Sequence, residues 1–170
     1  PFLVSDSAPD LAISQGRLVW IQDAYTTSRT YPYSKPSAGG TNYIRNSVKI
    51  TVDAYDGNVV FHILDSNDPI LATLARIFPT LFKPLADMPE DLRTRLRYPQ
   101  GIFALQAAMF ANFHMTNPAT FYNGEDQWDI PSLDQGPQAR PMSPYYTMMK
   151  LPGESGAEYI QMLPYTPRQK

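Results

Sequence analysis

The segment "YNGEDQWDIP" (residues 122–131) combines three carboxylates with amide, Tyr and Trp side chains. Calcium takes roughly six to eight oxygen ligands, often from Asp, Glu and Asn side chains of one loop. The residues that would supply such oxygens are Asn123, Glu125, Asp126 and Asp129. Their order is not that of an EF-hand loop, and no bidentate Glu stands at its end. We therefore predict no metal site here, but a polar turn in which Trp128 and Ile130 pack against the core.

A second candidate is "DAYTTSRTYPYS" (residues 23–34), which mixes tyrosines with hydroxyl side chains. Tyrosine supplies contact area at low entropy cost, so Tyr-rich polar loops suit recognition. We expect ordered packing of this loop, with a surface that binds a small molecule or a protein as the alternative. The longer stretch of residues 23–40, which ends in Pro, Ser and Gly, is the best candidate for a mobile segment. For the two segments together, the predicted binding residues are Tyr25, Tyr31, Tyr33, Asn123, Asp126 and Trp128.

Catalytic motifs are missing from the sequence. The histidines are His62, within a predicted strand, and His114, at the end of a predicted helix, and neither lies in a nucleophile motif. There is no H-E-x-x-H pair, phosphate-binding loop or dinucleotide fingerprint. We predict no catalytic residue and no cofactor. The rival prediction is a cell-envelope hydrolase or transferase that uses Asp23, Glu125 or Asp126 as acid or base. It requires carboxylates about 5 to 9.5 Å apart across a cleft.

These residues need strands and helices to position them. Residues 16–22 have the β-branched and aromatic composition of a strand. Residues 47–64 alternate apolar and polar side chains on both sides of Asp56-Gly57, which predicts a hairpin with a two-residue turn. The predicted cross-strand pairs are Ala54–Val59, Val52–Phe61 and Ile50–Ile63 on the core side, and Thr51–His62 on the outer side.

The helical signals follow the hairpin. Asp68-Pro69 predicts an N-cap and first turn, with Pro79 ending the helix. A short helix is predicted from Glu90 towards Arg97. A third, from Pro99 to Met115, is apolar nearly all round and is expected to be central and buried. Loop residues 116–144 and a second hairpin at 145–163 complete an α+β fold, with two or more antiparallel hairpins forming a sheet packed against about three helices.

Composition narrows the class of protein. The 170 residues suit one domain, predicted to span residues 1–170. The net charge of −2 argues against nucleic-acid binding, and the absence of Cys excludes disulfides and thiolate chemistry. No signal peptide is predicted in Pro1–Asp10, and no apolar run reaches the roughly 20 residues that span a bilayer. The first residue is Pro rather than Met, which predicts a soluble fragment of a longer protein.

Several long stretches together identify a resemblance. They are "GRLVWIQDAYTTSRTYPYS", "NYIRNSVKITVDAYDGNVVFHILDSNDPI", "IFPTLFKPLADMPEDLRTRLRYPQGIF", "FHMTNPATFYNGEDQWDIP" and "YYTMMKLPGESGAEYIQMLPYTPR". From about Gly16 onward the chain resembles uncharacterised protein family 0182, a family of large bacterial integral membrane proteins. The resemblance implies an N-terminal bundle of transmembrane helices, followed by a long region outside the cytoplasm that includes this chain. It implies no activity.

We therefore expect an extracytoplasmic domain of a bacterial membrane protein, located at the cell membrane and serving as a binding, sensing or assembly module. Its expected partners are its own transmembrane region and an unidentified protein or small molecule, but not nucleic acid. A structural ectodomain that packs on its own membrane bundle is a further alternative. That alternative predicts an exposed apolar patch, for which the sequence suggests Met148, Met149 and Met162.

Overall fold

The computed structural model describes residues 2–37, 39–133 and 139–168. The chain divides into two compact units, an N-terminal unit (Pro1–Pro99) and a C-terminal unit (Gln100–Lys170). The fold class is α+β, as the sequence predicts. A single domain over residues 1–170 stays a prediction. Of the predicted loop 116–144, residues 134–138 lie outside the described residues.

The N-terminal unit is built on one sheet. Its strands are β1 (Val4–Ser5), β2 (Asp10–Ser14), β3 (Arg17–Ser28), β4 (Tyr43–Asp53), β5 (Val59–Ile63) and β6 (Phe82–Pro84). Within the described residues these six strands pair in the order β1–β3–β4–β5–β6, and β2 also pairs with β3. All neighbours are antiparallel except β5 and β6, which are parallel. Its helices are α1 (Pro69–Ile77), a 3-10 helix (Leu85–Asp87) and α2 (Glu90–Arg93).

The predicted β4–β5 hairpin is present, with a register two residues away from the predicted one. Val52 pairs with Val59, and Ile50 pairs with Phe61. The reason is a longer loop, because the Asp53 carboxylate accepts hydrogen bonds from the backbone N–H groups of Tyr55 and Asp56. Gly57 (φ +72°) ends that loop instead of forming a two-residue turn. A shift of two residues leaves every side chain on its predicted face.

Helix α1 begins and ends where the sequence predicts. The Asp68 carboxylate caps it by accepting from the backbone N–H of Ile70, and Pro69 occupies the first turn. The helix places Leu71 on one face of the sheet, against Ala24 and Val48. This cluster is the larger apolar core of the N-terminal unit.

The opposite face of the sheet carries a smaller apolar cluster beneath the 3-10 helix and α2, made by Ala12, Val19, Ile21, Met88 and Leu92. Polar side chains continue the same face along β4 and β5. Lys49, Thr51 and His62 are all buried there. The sequence placed His62 on the outer face of the sheet; it does lie on the face opposite α1, but the segment that follows β6 covers that face, so His62 is buried.

Strand β3 extends well beyond its predicted end at residue 22. Residues 23–28 continue it and pair with β4, so this part of the predicted mobile segment 23–40 is wrong. The polar composition suggested a loop, but the hydroxyl and carboxyl groups of these residues have buried partners on β4 and at the start of α1. Strand β2 was not predicted from the sequence; it joins β3 through a turn at Gln15 (φ 49°) and Gly16 (φ 78°).

The C-terminal unit contains α3 (Gln100–Phe113), α4 (Pro118–Asn123) and four short strands: β7 (Trp128–Asp129), β8 (Tyr145–Met149), β9 (Glu158–Met162) and β10 (Thr166–Pro167). In its described part, β8 pairs with β9 as predicted, and β7 pairs with β10. The β8–β9 hairpin forms a two-stranded sheet of its own. Helix α4 lies within the predicted loop 116–144, because Asn117 and Pro118 start it as N-cap and first residue.

Candidate functional site

The tyrosines of segment 23–34 have three different environments. Tyr25 is buried, and its hydroxyl donates to the Asp6 carboxylate, so it belongs to the interior rather than to the predicted binding surface. Tyr31 is half-exposed and stacks on Tyr43, with ring centroids 5.1 Å apart. Tyr33 is fully exposed at φ 57°. The segment thus offers two accessible tyrosines and not a set of three.

Asp23, the acid of the rival enzyme prediction, lies in a buried ion pair. Its Oδ1 atom is 2.5 Å from Nζ of Lys49, and both side chains are less than one-tenth exposed. Lys49 Nζ also donates to the carbonyl of Arg97, at 2.8 Å. Burial raises the pKa of Asp23, while the charge of Lys49 opposes that rise. A carboxylate held in this way lacks the access to substrate that general acid or base catalysis needs.

A second buried carboxylate, Asp68, accepts hydrogen bonds from hydroxyl side chains of the same two strands, β3 and β4. Oδ2 of Asp68 accepts from Thr26 Oγ1 at 2.5 Å and from Ser47 Oγ at 2.6 Å. Oδ1 accepts from the Tyr43 hydroxyl at 2.7 Å as well as from the Ile70 N–H. Burial raises the pKa of Asp68, but these hydrogen bonds outweigh it and the pKa is lowered. All four bonds stabilise the charged form, so this network is structural.

Segment 122–131, in the C-terminal unit, forms a corner around His114. The imidazole of His114 stacks on Trp128, with ring centroids 3.6 Å apart. Nδ1 of His114 lies 2.9 Å from the Phe110 carbonyl, and the nitrogen must donate because a carbonyl only accepts. Nε2 is buried without a hydrogen bond among the described residues, and Oδ2 of Asp126 is 3.6 Å away. Two predicted site residues, Asp126 and Trp128, therefore meet at His114, which the sequence placed at the end of a predicted helix and outside any site.

The remaining polar groups of this corner are paired locally. Asn123 Nδ2 donates to the Glu125 carboxylate, at 2.8 Å. Arg168 binds the Asp129 carboxylate through both Nε and Nη2, and this guanidinium lowers the pKa of Asp129. The carboxylates of the segment thus bind separate partners instead of converging on one point. The corner is suited to packing and to a salt bridge between His114 and Asp126 when the imidazole is protonated.

Calcium is expected to leave the thermal unfolding midpoint of the chain unchanged. In the residues that the structure describes, no group of three or more His, Asp or Glu side chains could hold a metal ion. A ligand that binds only the native state at a hundredfold excess over its Kd would stabilise it by about 2.7 kcal/mol. Differential scanning fluorimetry with calcium, magnesium or chelator measures this. A calcium-dependent rise that Asp126→Asn abolishes would contradict the expectation.

An exposed apolar face lies on helix α3. The spacing of Met109, Phe110 and Phe113 places them on one side of the helix, and each is more than half exposed. Phe113 contacts Phe121, which extends this surface onto α4 and the exposed Tyr122. The buried residues of α3 are Ile102, Ala107 and Ala111. The sequence predicted a helix buried on several sides, and this is wrong for the described chain, which leaves its aromatic side open.

A second apolar surface crosses the sheet of the N-terminal unit. Leu11 pairs with Trp20, Trp20 with Val52, and Val52 with Val59, so four side chains form a row on one sheet face. The exposed fractions of Leu11, Trp20 and Val59 are between 42% and 49%. Val48 and Val52 are four residues apart on β4, so their side chains lie on the same face of the sheet. Helix α1 covers only the part of that face around Val48. Neither this row nor the α3 face was predicted from the sequence.

The methionines that the sequence suggested for an exposed patch are on the β8–β9 hairpin. Met148 and Met149 are exposed, and Met162 is partly buried. The hairpin also carries a stacked pair, Tyr146 and Tyr159, with ring centroids 4.9 Å apart. An exposed apolar surface is therefore present here as well.

Together, these features define an α+β protein with buried polar networks in its interior and open apolar faces on its surface. The chain belongs to the Uncharacterised protein family (UPF0182), whose model matches residues 1–170. A UPF0182 protein of Moorella thermoacetica is 53% identical over 170 residues, and one of Pelobacter propionicus is 57% identical over 171 residues. A UPF0182 protein of Methanospirillum hungatei is 51% identical over 176 residues.

Each of these matches covers 100% of this chain but only 19% or 20% of the relative. The chain therefore spans about one fifth of the length of these relatives. No solved structure matches it. Across the described residues, the longest apolar helices fall short of what is needed to cross a membrane.

Proposed function

We propose that this chain is a non-catalytic assembly module on the extracytoplasmic side of a larger bacterial membrane protein. The observation that carries the proposal is the exposed aromatic face of α3. A helix that is apolar all round is normally buried in the core of a large protein. In this chain, Met109 and Phe113 are instead more than half exposed, and Phe110 keeps about half of its surface exposed while its ring contacts Trp128 and Tyr165.

The charge distribution around α3 supports docking. No Asp, Glu, Lys or Arg occurs between Arg97 and Glu125. Charged residues are depleted from the centre of protein interfaces, where Phe, Tyr and Met are enriched. The exposed side chains of α3 and α4, including Phe121 and Tyr122, have this composition. The surface is therefore suited to burial against another apolar surface.

The occupant that we propose for this face is the remaining part of the same polypeptide. The relatives are about five times as long as this chain, so most of each relative lies outside the matched region. The family resemblance implies a bundle of transmembrane helices in that remainder, and this supports the membrane location. The row of Leu11, Trp20, Val52 and Val59 is a second face of the same character. An additional small-molecule or protein partner is part of the proposal, and the accessible candidates for contacting it are Tyr31, Tyr33 and Asn123.

Cysteine accessibility in the full-length protein tests this proposal. The chain contains no Cys, so Met109→Cys adds one thiol to the α3 face, and Ser155→Cys adds one to the exposed tip of the β8–β9 hairpin as a control. Both variants are made in a full-length protein freed of other cysteines. They are then treated with a membrane-impermeant maleimide on intact cells, on permeabilised cells and after denaturation.

We expect the Ser155→Cys thiol to react on intact cells, because the module lies outside the cytoplasm. The Met109→Cys thiol should react only after denaturation, because the rest of the protein covers it. Equal reactivity of the two thiols in the native protein would contradict docking through α3. Reaction of the control thiol only after permeabilisation would contradict the extracytoplasmic location.

A further inference from the structure

A groove opens in the N-terminal unit between the face of the sheet opposite α1 and the segment that contains the 3-10 helix and α2. Its volume is about 250 Å³. Thr51 and His62 line it from β4 and β5, and Pro89 and Leu92 line it from the covering segment. Sites for drug-sized ligands measure roughly 300–1,000 Å³, so this groove suits a smaller molecule.

The charged groups that line the groove form two sets. Arg17 binds the Asp53 carboxylate through Nε at 2.5 Å and Nη2 at 2.8 Å, and it also contacts Asp56. Among the lining residues, Arg17 and Asp53 therefore neutralise one another, whereas Asp56 does not line the groove. Lys83 and Asp87 also line the groove and are exposed, and in the described part of the chain neither has an ion-pair partner. The groove thus offers one cation and one anion that are not used internally.

The polar residues at the back of the groove add no net charge. His62 and Thr51 are 3% and 7% exposed, and Thr51 Oγ1 lies 3.3 Å from His62 Nε2. Burial lowers the pKa of His62, Lys83 lowers it further, and Asp87 and the Pro84 backbone act in the opposite direction. The imidazole is therefore neutral at pH 7. Lys83 and Asp87 consequently determine which charges a ligand should carry.

Apolar side chains complete the groove. Val19, Val60 and Leu92 line it together with the ring of Pro89. An aliphatic group placed against them would lose contact with water, which stabilises binding in proportion to the area buried. A matching ligand has one positive group, one negative group and one short aliphatic group within a small volume.

We propose that this groove binds a free α-amino acid with an aliphatic side chain, such as leucine or valine. Lys83 binds its carboxylate, Asp87 binds its ammonium group, and the aliphatic side chain packs against Val60 and Leu92. This function is independent of docking through α3, which lies in the other unit. It would make the module a sensor or carrier of small zwitterions in addition to an assembly element.

Isothermal titration calorimetry of the full-length protein with L-leucine tests the proposal. Two analogues each lack one charge: 4-methylpentanoate has no ammonium group, and 3-methylbutylamine has no carboxylate. Because each charged contact is a charge-assisted hydrogen bond, we expect both analogues to bind about tenfold more weakly than leucine, or weaker still. Absence of leucine binding up to about 10 mM, or equal affinity for all three molecules, would overturn the proposal.

Two exposed substitutions assign the contacts. Lys83→Gln should weaken leucine binding about tenfold but leave the affinity for 3-methylbutylamine unchanged, because the amine does not use Lys83. Asp87→Asn should weaken leucine binding similarly and leave 4-methylpentanoate unaffected. The matched control is Lys35→Gln, at an exposed lysine that does not line the groove. Leucine affinity in Lys83→Gln equal to that in Lys35→Gln would place binding elsewhere and overturn the assignment.

Discussion

Lys49→Met is expected to lower the free energy of unfolding of the N-terminal unit by about 3–5 kcal/mol at neutral pH. The substitution leaves the Asp23 carboxylate buried without its counter-charge and removes the donor to the Arg97 carbonyl. The loss is measured by urea denaturation. In a Trp128→Phe background, fluorescence reports the N-terminal unit alone, because Trp20 is then the remaining tryptophan.

The destabilisation by Lys49→Met should depend on pH. Burial already raises the pKa of Asp23, and without the opposing charge of Lys49 it rises further. An acid whose pKa is higher in the folded state than in the unfolded state binds its proton more tightly when folded. The stability of the variant therefore falls as pH rises from about 3.9, the unfolded value, through the raised folded value. The loss relative to wild type should be smaller at about pH 5 than at about pH 8.

Two further variants make the result decisive. Replacing both partners, Asp23→Leu with Lys49→Met, should recover most of the lost stability, because an apolar pair of similar volume needs no counter-charge. Lys35→Met, at an exposed lysine, should change stability by less than about 0.5 kcal/mol. If Lys49→Met were as mild as Lys35→Met, the buried ion pair would not exist in solution.

Asp68→Ala should destabilise the N-terminal unit by a similar amount, about 3–5 kcal/mol. The change leaves the buried hydroxyls of Thr26 and Ser47 without their acceptor and removes the N-cap of α1. Each orphaned buried group costs about 1–3 kcal/mol, and a lost cap adds about 1 kcal/mol. Urea denaturation with Trp20 as the probe measures the loss. The control is Asp65→Ala, in the same loop, which removes a partly exposed ion pair with Arg45 and should cost about 1 kcal/mol or less.

The contribution of Asp68 also has a defined pH range. Its pKa is lowered in the folded state, so the stability it contributes is fully present above its unfolded pKa of about 3.9. That stability is lost as pH falls through the folded value. Asp68→Asn, which cannot ionise, should therefore lose its disadvantage relative to wild type as the pH falls below about 4. A constant difference between the two proteins from pH 7 down to about pH 3 would contradict this account.

Local sequence determined the elements whose start and end depend on neighbouring residues. Asp68 and Pro69 set the beginning of α1, because an N-cap acceptor and a fixed φ act within one turn. The alternation of apolar and polar residues determined which side chains of β4 and β5 share a face. Side chains alternate with a period of two, so a register shift of two residues does not move them to the other face. The exact register of the β4–β5 hairpin was not determined by the alternation. The Asp53 carboxylate accepts hydrogen bonds from the backbone of the connecting loop, and this lengthens the loop.

The candidate site was predicted only in part. The sequence singled out segment 122–131, and Asp126 and Trp128 do come together there, beside His114. It could not associate His114 with them, because a stacking partner some 14 residues away leaves no periodic signal. The groove bounded by Lys83 and Asp87 was not predicted, since its walls come from strands and a covering segment that are separated along the chain.

By itself the sequence determined the α+β class, the principal helices, the strongest hairpin and the membership of a larger protein family. Only the tertiary structure decided which polar residues are interior. Residues 23–28 resemble a loop in composition, yet they form a strand because Ser47, Lys49 and Asp68 satisfy their polar groups. The physical reason is that caps and alternation act between neighbours in the chain, whereas burial of a charge depends on a partner brought close only by folding.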